Sequence, residues 1–354
     1  MEGADMITIA KGNLLDTDAE ALVNTVNCEG FMGKGIALQF KKAFPENNKA
    51  YERACRAGEV EPGRMLVFST GSMVNPKYIL NFPTKRKWRA KSKIEDIDSG
   101  LKALIEEVRK LNISSIAVPP LGCGLGGLDW QAVRPMIESA FAALPDVRVS
   151  LFEPVGAPEA KAMPVGTKRP ALTLPRALFI RLMHLYAQMA YRLTLLEIQK
   201  LAYFLQESGE PLRLNYVAHL YGPYAHNLNK VLETLEGHFI RGYGDTQEPD
   251  VEIELLPGAS EEAETFIAEH EDSKLRLDRV ADLIDGFETP YGMELISSVH
   301  WVANRHTPPA REANEAIQIV HQWNDRKRRM FKPEHIRIAW NRLQDQSWLP
   351  ARGN

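Results

Sequence analysis

Two stretches of the chain combine asparagine, glycine and a helix start in a way that suits a phosphate ligand. The first is Asn24-Thr25-Val26-Asn27-Cys28-Glu29-Gly30-Phe31-Met32-Gly33-Lys34-Gly35-Ile36-Ala37, an asparagine-rich strand end that runs through glycines into a helical pattern. The second, Val118-Pro119-Pro120-Leu121-Gly122-Cys123-Gly124-Leu125-Gly126-Gly127-Leu128-Asp129-Trp130, also leads directly into a helix. Glycine lets a backbone approach phosphate oxygens closely, and a helix N-terminus offers unpaired N–H groups at the positive end of its dipole. Taken singly, such a loop is as often just a tight connection. Two of them suggest a diphosphate held from both sides. Neither fits the phosphate loop that ends in Lys-Ser/Thr, or the dinucleotide fingerprint early in a βαβ unit.

A third stretch, 85–93, places six basic residues around one tryptophan. Such charges suit a phosphate backbone and an indole can stack an unpaired base, so Arg86, Lys87, Trp88 and Arg89 are candidate contacts with a DNA strand. The competing reading is a solvated loop. Lys85 opens this run, and a lysine becomes a nucleophile when burial or a nearby cation lowers its pKa. Arg86 and Lys87 supply such cations. Cys123, between two glycines, has no histidine pattern to activate it and reads as a small packing residue. The three cysteines have no metal-ligand spacing and an odd count, which argues against a zinc site and a disulfide framework. Of the nine histidines, His219 with His226 and His300 with His306 are not spaced as metal pairs on one helix face. No metal and no cofactor are expected.

The elements that must position these residues follow from periodicity. Short apolar runs at 7–9, 21–23, 65–68, 78–80, 116–118 and 147–152 alternate with amphipathic helical patterns at 36–44, 46–57, 94–111 and 130–143. That alternation predicts an α/β fold with a mixed or parallel sheet, and both glycine loops then lie at strand C-terminal ends, where open α/β sheets bind ligands. Asp129 suits the N-cap of the last of these helices. From 153 to 175 proline recurs every few residues without a sustained period, as in a semi-rigid linker. Beyond it the pattern is mainly helical, at 176–191, 195–206, 224–235, 289–304, 311–323 and 333–343. Thr194 with Glu197 forms a capping box ahead of the second, and 251–255 alternates like a short strand. At 354 residues the chain suits two domains, and its net charge of −3 excludes a globally basic surface. No apolar run approaches a membrane span and the N-terminus lacks a secretion pattern, so a soluble cytoplasmic protein is expected.

The segments Gly12-Asn13-Leu14-Leu15, 24–37 and 119–127, in this order and at these separations, resemble macrodomains that bind ADP-ribose. The resemblance spans residues 6 to about 153. It implies that Asn13 and Leu14 lie at the adenine end with Phe152 stacked on it, and that Asn27 faces the distal ribose. It also implies that Thr25, Val26, Gly33, Gly35, Ile36, Ala37, Thr84, Pro119, Leu121, Gly122, Cys123, Gly124, Leu125 and Gly126 line the ligand. Lys34 to Lys42 and Asn81-Phe82-Pro83-Thr84-Lys85 look like the terminal ADP-ribose glycohydrolase branch, and specifically the DarG-type antitoxins paired with DarT-type DNA ADP-ribosyltransferase toxins. That resemblance implies a catalytic Lys85, either attacking the anomeric carbon of the distal ribose or stabilising the opened sugar, and ADP-ribosylated single-stranded DNA as substrate. One departure stands out: the human member of the branch has a catalytic aspartate at the loop position aligned with Gly126. Downstream, Leu195 to Phe204 and Tyr221-Gly222-Pro223-Tyr224 resemble the helical Panacea-type antitoxin domain, which implies that the C-terminal half binds the toxin. The expected organisation is therefore a macrodomain at 1–155, a linker at 156–172 and a mainly helical toxin-binding domain at 173–354.

Overall fold

The computed structural model describes residues 6–154, 163–188, 192–243 and 252–350. They form two compact units, dividing between Arg169 and Pro170. Residues 1–5, the first part of the expected linker (156–162), the end of the helix expected at 176–191 and the start of the strand expected at 251–255 lie outside the described residues.

In the first unit all six expected strands form: β1 (Ile7–Ala10), β2 (Ala21–Asn27), β3 (Leu66–Ser69), β4 (Tyr78–Lys85), β5 (Ser115–Val118) and β6 (Arg148–Phe152). They make one sheet of order β1-β6-β5-β2-β4-β3. Every neighbouring pair is parallel except β3 with β4. Central strands β2 and β5 are buried on both faces, which is why their sequences are nearly continuous apolar runs. One face packs α3 (Ile94–Lys110) and α4 (Trp130–Phe141) over Val23, Leu80, Phe82 and Val118. The other face carries Leu22, Ile79 and Ala117, against which Ile36 and Phe40 of α1 (Gly35–Ala43) pack. Next to α1 lies α2 (Pro45–Arg56), whose Tyr51 is fully buried beside Val26. The expected linker is not free along its length: Met163 is buried in the α1-side core, and the Gly166 N–H donates to the Lys42 carbonyl at 2.7 Å.

Two local features place Lys85. A Cβ on Gly100 of α3 would lie 2.2 Å from the Phe82 ring, so only glycine lets α3 close on β4. Farther along, β4 continues past Asn81, its last residue paired with β3, and Pro83 there removes no ladder bond to that strand. Opposite Val26 and Asn27 the register shifts, so that Thr84 is the extra residue and Lys85 pairs with Asn27. Such a bulge re-aims the side chain that follows it.

The second unit is mainly helical: α5 (Leu174–Gln188), α6 (Leu195–Glu207), α7 (Leu228–Leu235), α8 (Ala259–Ile267), α9 (Glu271–Ile284), α10 (Pro290–Asn304), α11 (Ala313–Trp323), α12 (Asp325–Met330) and α13 (Pro333–Asp345). The capping box at Thr194 is present. A correction concerns 224–235. Tyr224 belongs not to a helix but to a hairpin of β7 (Tyr216–His219) and β8 (Gly222–Ala225), and the helix starts only at Leu228. Helices α8 and α9 were not anticipated. A short pair, β9 (Ile240–Arg241) with β10 (Glu254–Leu255), accounts for the alternating segment. Among the described residues no helix is long and apolar enough to cross a membrane.

The two stretches behind the antitoxin-domain resemblance touch each other. Gln199 of α6 brackets Ala225 of β8, donating to its carbonyl at 3.1 Å and accepting from its N–H at 2.9 Å, while Lys200 donates to the Pro223 carbonyl at 2.6 Å.

Candidate active site

The loops that follow β2, β4 and β5 lie together at the C-terminal edge of the sheet, and three contacts join them. The Cys28 N–H donates to the Arg86 carbonyl at 3.1 Å, and the Trp88 N–H to the Glu29 carboxylate at 2.8 Å. The Ser92 N–H donates to the Gly126 carbonyl at 2.9 Å. Leu125 is where the two glycine loops meet: a Cβ on Gly35 would lie 3.7 Å from its side chain, and its carbonyl accepts from Lys85 Nζ at 3.4 Å.

Lys85 is half-buried, and burial draws its pKa below the ordinary lysine value. This corrects the cause expected from sequence, since Arg86 points into solvent and is 3.6 Å from Asp96. A desolvated ammonium whose nearest acceptor is a single neutral carbonyl loses its proton more readily than one in water. Cys123 goes the other way: burial pushes its thiol up to about 11, so it is protonated at neutral pH and is no nucleophile.

The helix that starts at the first loop differs from the one that starts at the second. Asp129 caps α4, its carboxylate accepting from the Gln131 N–H at 3.0 Å. The N-cap of α1 is Lys34, which has no acceptor, and the helix has no acidic residue in its first turn. Its first N–H groups, at Gly35, Ile36 and Ala37, have no side-chain cap, the arrangement that suits an anion at a helix start.

Other candidate residues take structural places. Asn27, expected at the distal ribose, commits its side chain to the loop: Oδ1 accepts from the Glu29 N–H at 2.9 Å and the Phe31 N–H at 3.4 Å, and Nδ2 donates to the Phe31 carbonyl at 2.7 Å. Tyr51 braces it, donating to its carbonyl at 2.7 Å. Asn24 lies in a buried network with Asn81 and Asn47 that ties β2 to β4 and α2. Phe152 and Leu14 share one core cluster, and Phe152 is 7% exposed. Asn13 caps a short turn, accepting from the Leu15 N–H at 3.0 Å and donating to Asp16 at 3.1 Å. Val26 and Thr84 are buried beside one another, the Thr84 hydroxyl donating to the Val26 carbonyl at 3.5 Å.

The glycine at position 126 has a structural cause. A Cβ on Gly126 would lie 2.2 Å from Ser92 Oγ and 2.4 Å from the Gly122 carbonyl oxygen. Ser92 is buried, and its hydroxyl has no hydrogen-bond partner among the described residues. Sequence reasoning missed Ser92, because it ends a basic run and belongs to no motif. It also missed Phe31, which stands half exposed at the tip of the first loop beside Trp88. In the second unit the histidines behave as expected of core or surface residues. His300 is buried against the Tyr203 hydroxyl at 2.8 Å, and burial pulls its pKa down to about 3. Among the described residues no group of acidic, cysteine or histidine side chains could hold a metal ion.

Residues 23–137 match the family model of the Macro domain. A DNA ADP-ribosyl glycohydrolase from Thermus aquaticus is 46% identical over 339 residues, covering 96% of this chain and 93% of that protein. One from Mycobacterium tuberculosis is 42% identical over 356 residues, covering 96% and 99%. A DNA ADP-ribosyl transferase-DNA ADP-ribosyl glycohydrolase fusion protein from Thermosipho africanus is 32% identical over 164 residues, 42% of each chain.

Proposed function

This chain belongs to the DarG-type DNA ADP-ribosyl glycohydrolase family, and from that premise we propose that its first unit removes ADP-ribose from thymine bases of single-stranded DNA, with Lys85 as the catalytic residue. The observation that carries this is the half-buried Lys85 ammonium, aimed at Leu125 between the two glycine loops. In this reading the diphosphate lies on the uncapped start of α1 and on the backbone of 122–126. The neutral amine of Lys85 forms a bond to the anomeric carbon of the distal ribose as the bond from that carbon to the thymine nitrogen breaks. The electron pair leaves with the base, which takes up the proton that the alkylated Lys85 nitrogen sheds; a water then adds its hydroxyl to the anomeric carbon and a proton to the departing amine, which frees both sugar and lysine. Arg86, Lys87, Trp88 and Arg89 hold the strand.

Turnover of an ADP-ribosylated oligonucleotide tests the assignment. Lys85→Ala should lower the rate about a thousandfold; a variant as fast as wild type would remove Lys85 from the chemistry. Because burial lowers the lysine pKa, more of the amine is neutral at any given pH than for an exposed lysine. The wild-type rate should therefore climb with pH and level off below 10.5, the ordinary lysine value.

The second unit, on this proposal, binds the cognate DarT-type toxin. The relative in which transferase and glycohydrolase are one chain supports the pairing, as does the α6–β8 contact that joins the two antitoxin-like stretches. Capture of the toxin by a full-length chain carrying Lys85→Ala would separate binding from hydrolysis. Failure to form that complex would leave hydrolysis alone as the protein's action.

A further inference from the structure

The first loop ends in an apolar ring that the core does not use. Phe31 is 51% exposed and Trp88 45% exposed, and their ring centroids are 6.3 Å apart with planes at 59°. The Arg89 guanidinium already lies over the indole, 4.5 Å from its centroid. Arg89, Trp88 and Phe31 thus form a short run of which Phe31 is the open end. An exposed phenyl in an ordinary loop would be free to turn away from water, yet this one is fixed at its backbone. The Asn27 side chain holds both the N–H and the carbonyl of Phe31, and Tyr51 holds Asn27. The neighbouring loop is fixed to it through Glu29 and the Trp88 N–H. Lys85 is tied to the same corner, its carbonyl accepting from the Cys28 thiol at 3.5 Å.

We infer that Phe31 is a stacking platform for the unpaired base next to the modified nucleotide, backed by Trp88 and Arg89; this rests on the reading of the site as acting on single-stranded DNA. Every base offers a flat face to an aromatic ring whatever its hydrogen-bonding edge, so the platform holds the strand without reading its sequence. It also requires the flanking base to leave its own stack, which fits a single strand and not a duplex. Arg86 and Arg89 beside it suit a polyanion. The stacking role falls to Phe31, while Trp88, whose indole already lies under the Arg89 guanidinium, supports it.

The test uses the full chain and an oligonucleotide with one ADP-ribosylated thymine, flanked either by normal nucleotides or by abasic ones, with the free ADP-ribosyl nucleoside as reference. Phe31→Ala should raise KM for the normal oligonucleotide about tenfold, and Phe31→Trp should restore it. Abasic flanks should raise the wild-type KM by a similar factor and erase the difference between wild type and Phe31→Ala. An equal loss on abasic flanks or on the nucleoside would overturn the inference, as would no loss at all. Wild-type protein inert on every oligonucleotide would remove the DNA reading itself and this inference with it.

Discussion

Lys85 in the first unit and Lys327 in the second are both drawn out of water, but their ammonium groups keep different company. Lys327 is fully buried, donates to Glu294 at 2.8 Å and Ser298 at 2.9 Å, and shares that carboxylate with Arg326 at 2.6 Å. Lys200, also buried, is held by the Pro223 carbonyl, and burial together with Lys327 draws its pKa down to about 7. Lys85 has one long contact, to a neutral oxygen. The difference separates two uses of a desolvated cation. Where anionic and polar partners surround it, as at Lys327, it becomes a strut between α10 and α12. Where partners are few its proton is loosely held, at Lys200 enclosed in the interior and at Lys85 beside the two glycine loops.

Removing Glu294 should break that contrast most visibly. Glu294→Gln leaves Arg326 and Lys327 without their anion, and the loss should be about 3–5 kcal/mol in urea unfolding followed by a probe in the second unit. A change below about 1 kcal/mol, the range of exposed pairs, would mean that the cluster is no strut. A smaller effect is expected at the mouth of the first unit. Gly126→Ala must push against Ser92 and the Gly122 carbonyl, and so shift the Leu125 carbonyl away from Lys85. Turnover should fall about tenfold, equal to roughly 1.4 kcal/mol in the barrier. Adding Ser92→Gly should return part of the rate, since one of the two obstacles remains. Unchanged turnover in Gly126→Ala would show that the Lys85–Leu125 contact does not tune the lysine.

Much of the first unit was legible because its signals are local. The strands announce themselves as short apolar runs, and Asp129 caps α4 through an N–H two residues on. Lys85, at the head of a basic run, reads by itself as an exposed lysine and is singled out by the resemblance of Asn81 to Lys85 to the glycohydrolase branch. What could not be read depends on partners far along the chain. Asn27 braces its own loop and is held by Tyr51, 24 positions away. Phe152 pairs with Ala10 of β1 and shares a core cluster with Leu14 and Leu15. Lys200 and Lys327 have the appearance of surface residues on amphipathic helices. Only the approach of α10 to both α6 and α12 makes them interior. The hairpin at 216–225 was hidden because Pro223 and Tyr224 read as a helix start until β7 pairs with them.

The crowding at Gly126 also bears on how this site can change over generations. Ser92 and the Gly122 carbonyl occupy the space that any side chain at 126 would enter, so no single codon change there installs an acid without displacing its neighbours. A lineage moving toward a lysine–carboxylate pair at this position has to vacate Ser92 and also shift the Gly122 carbonyl. A chain that keeps Ser92 has no room for a carboxylate at that loop position.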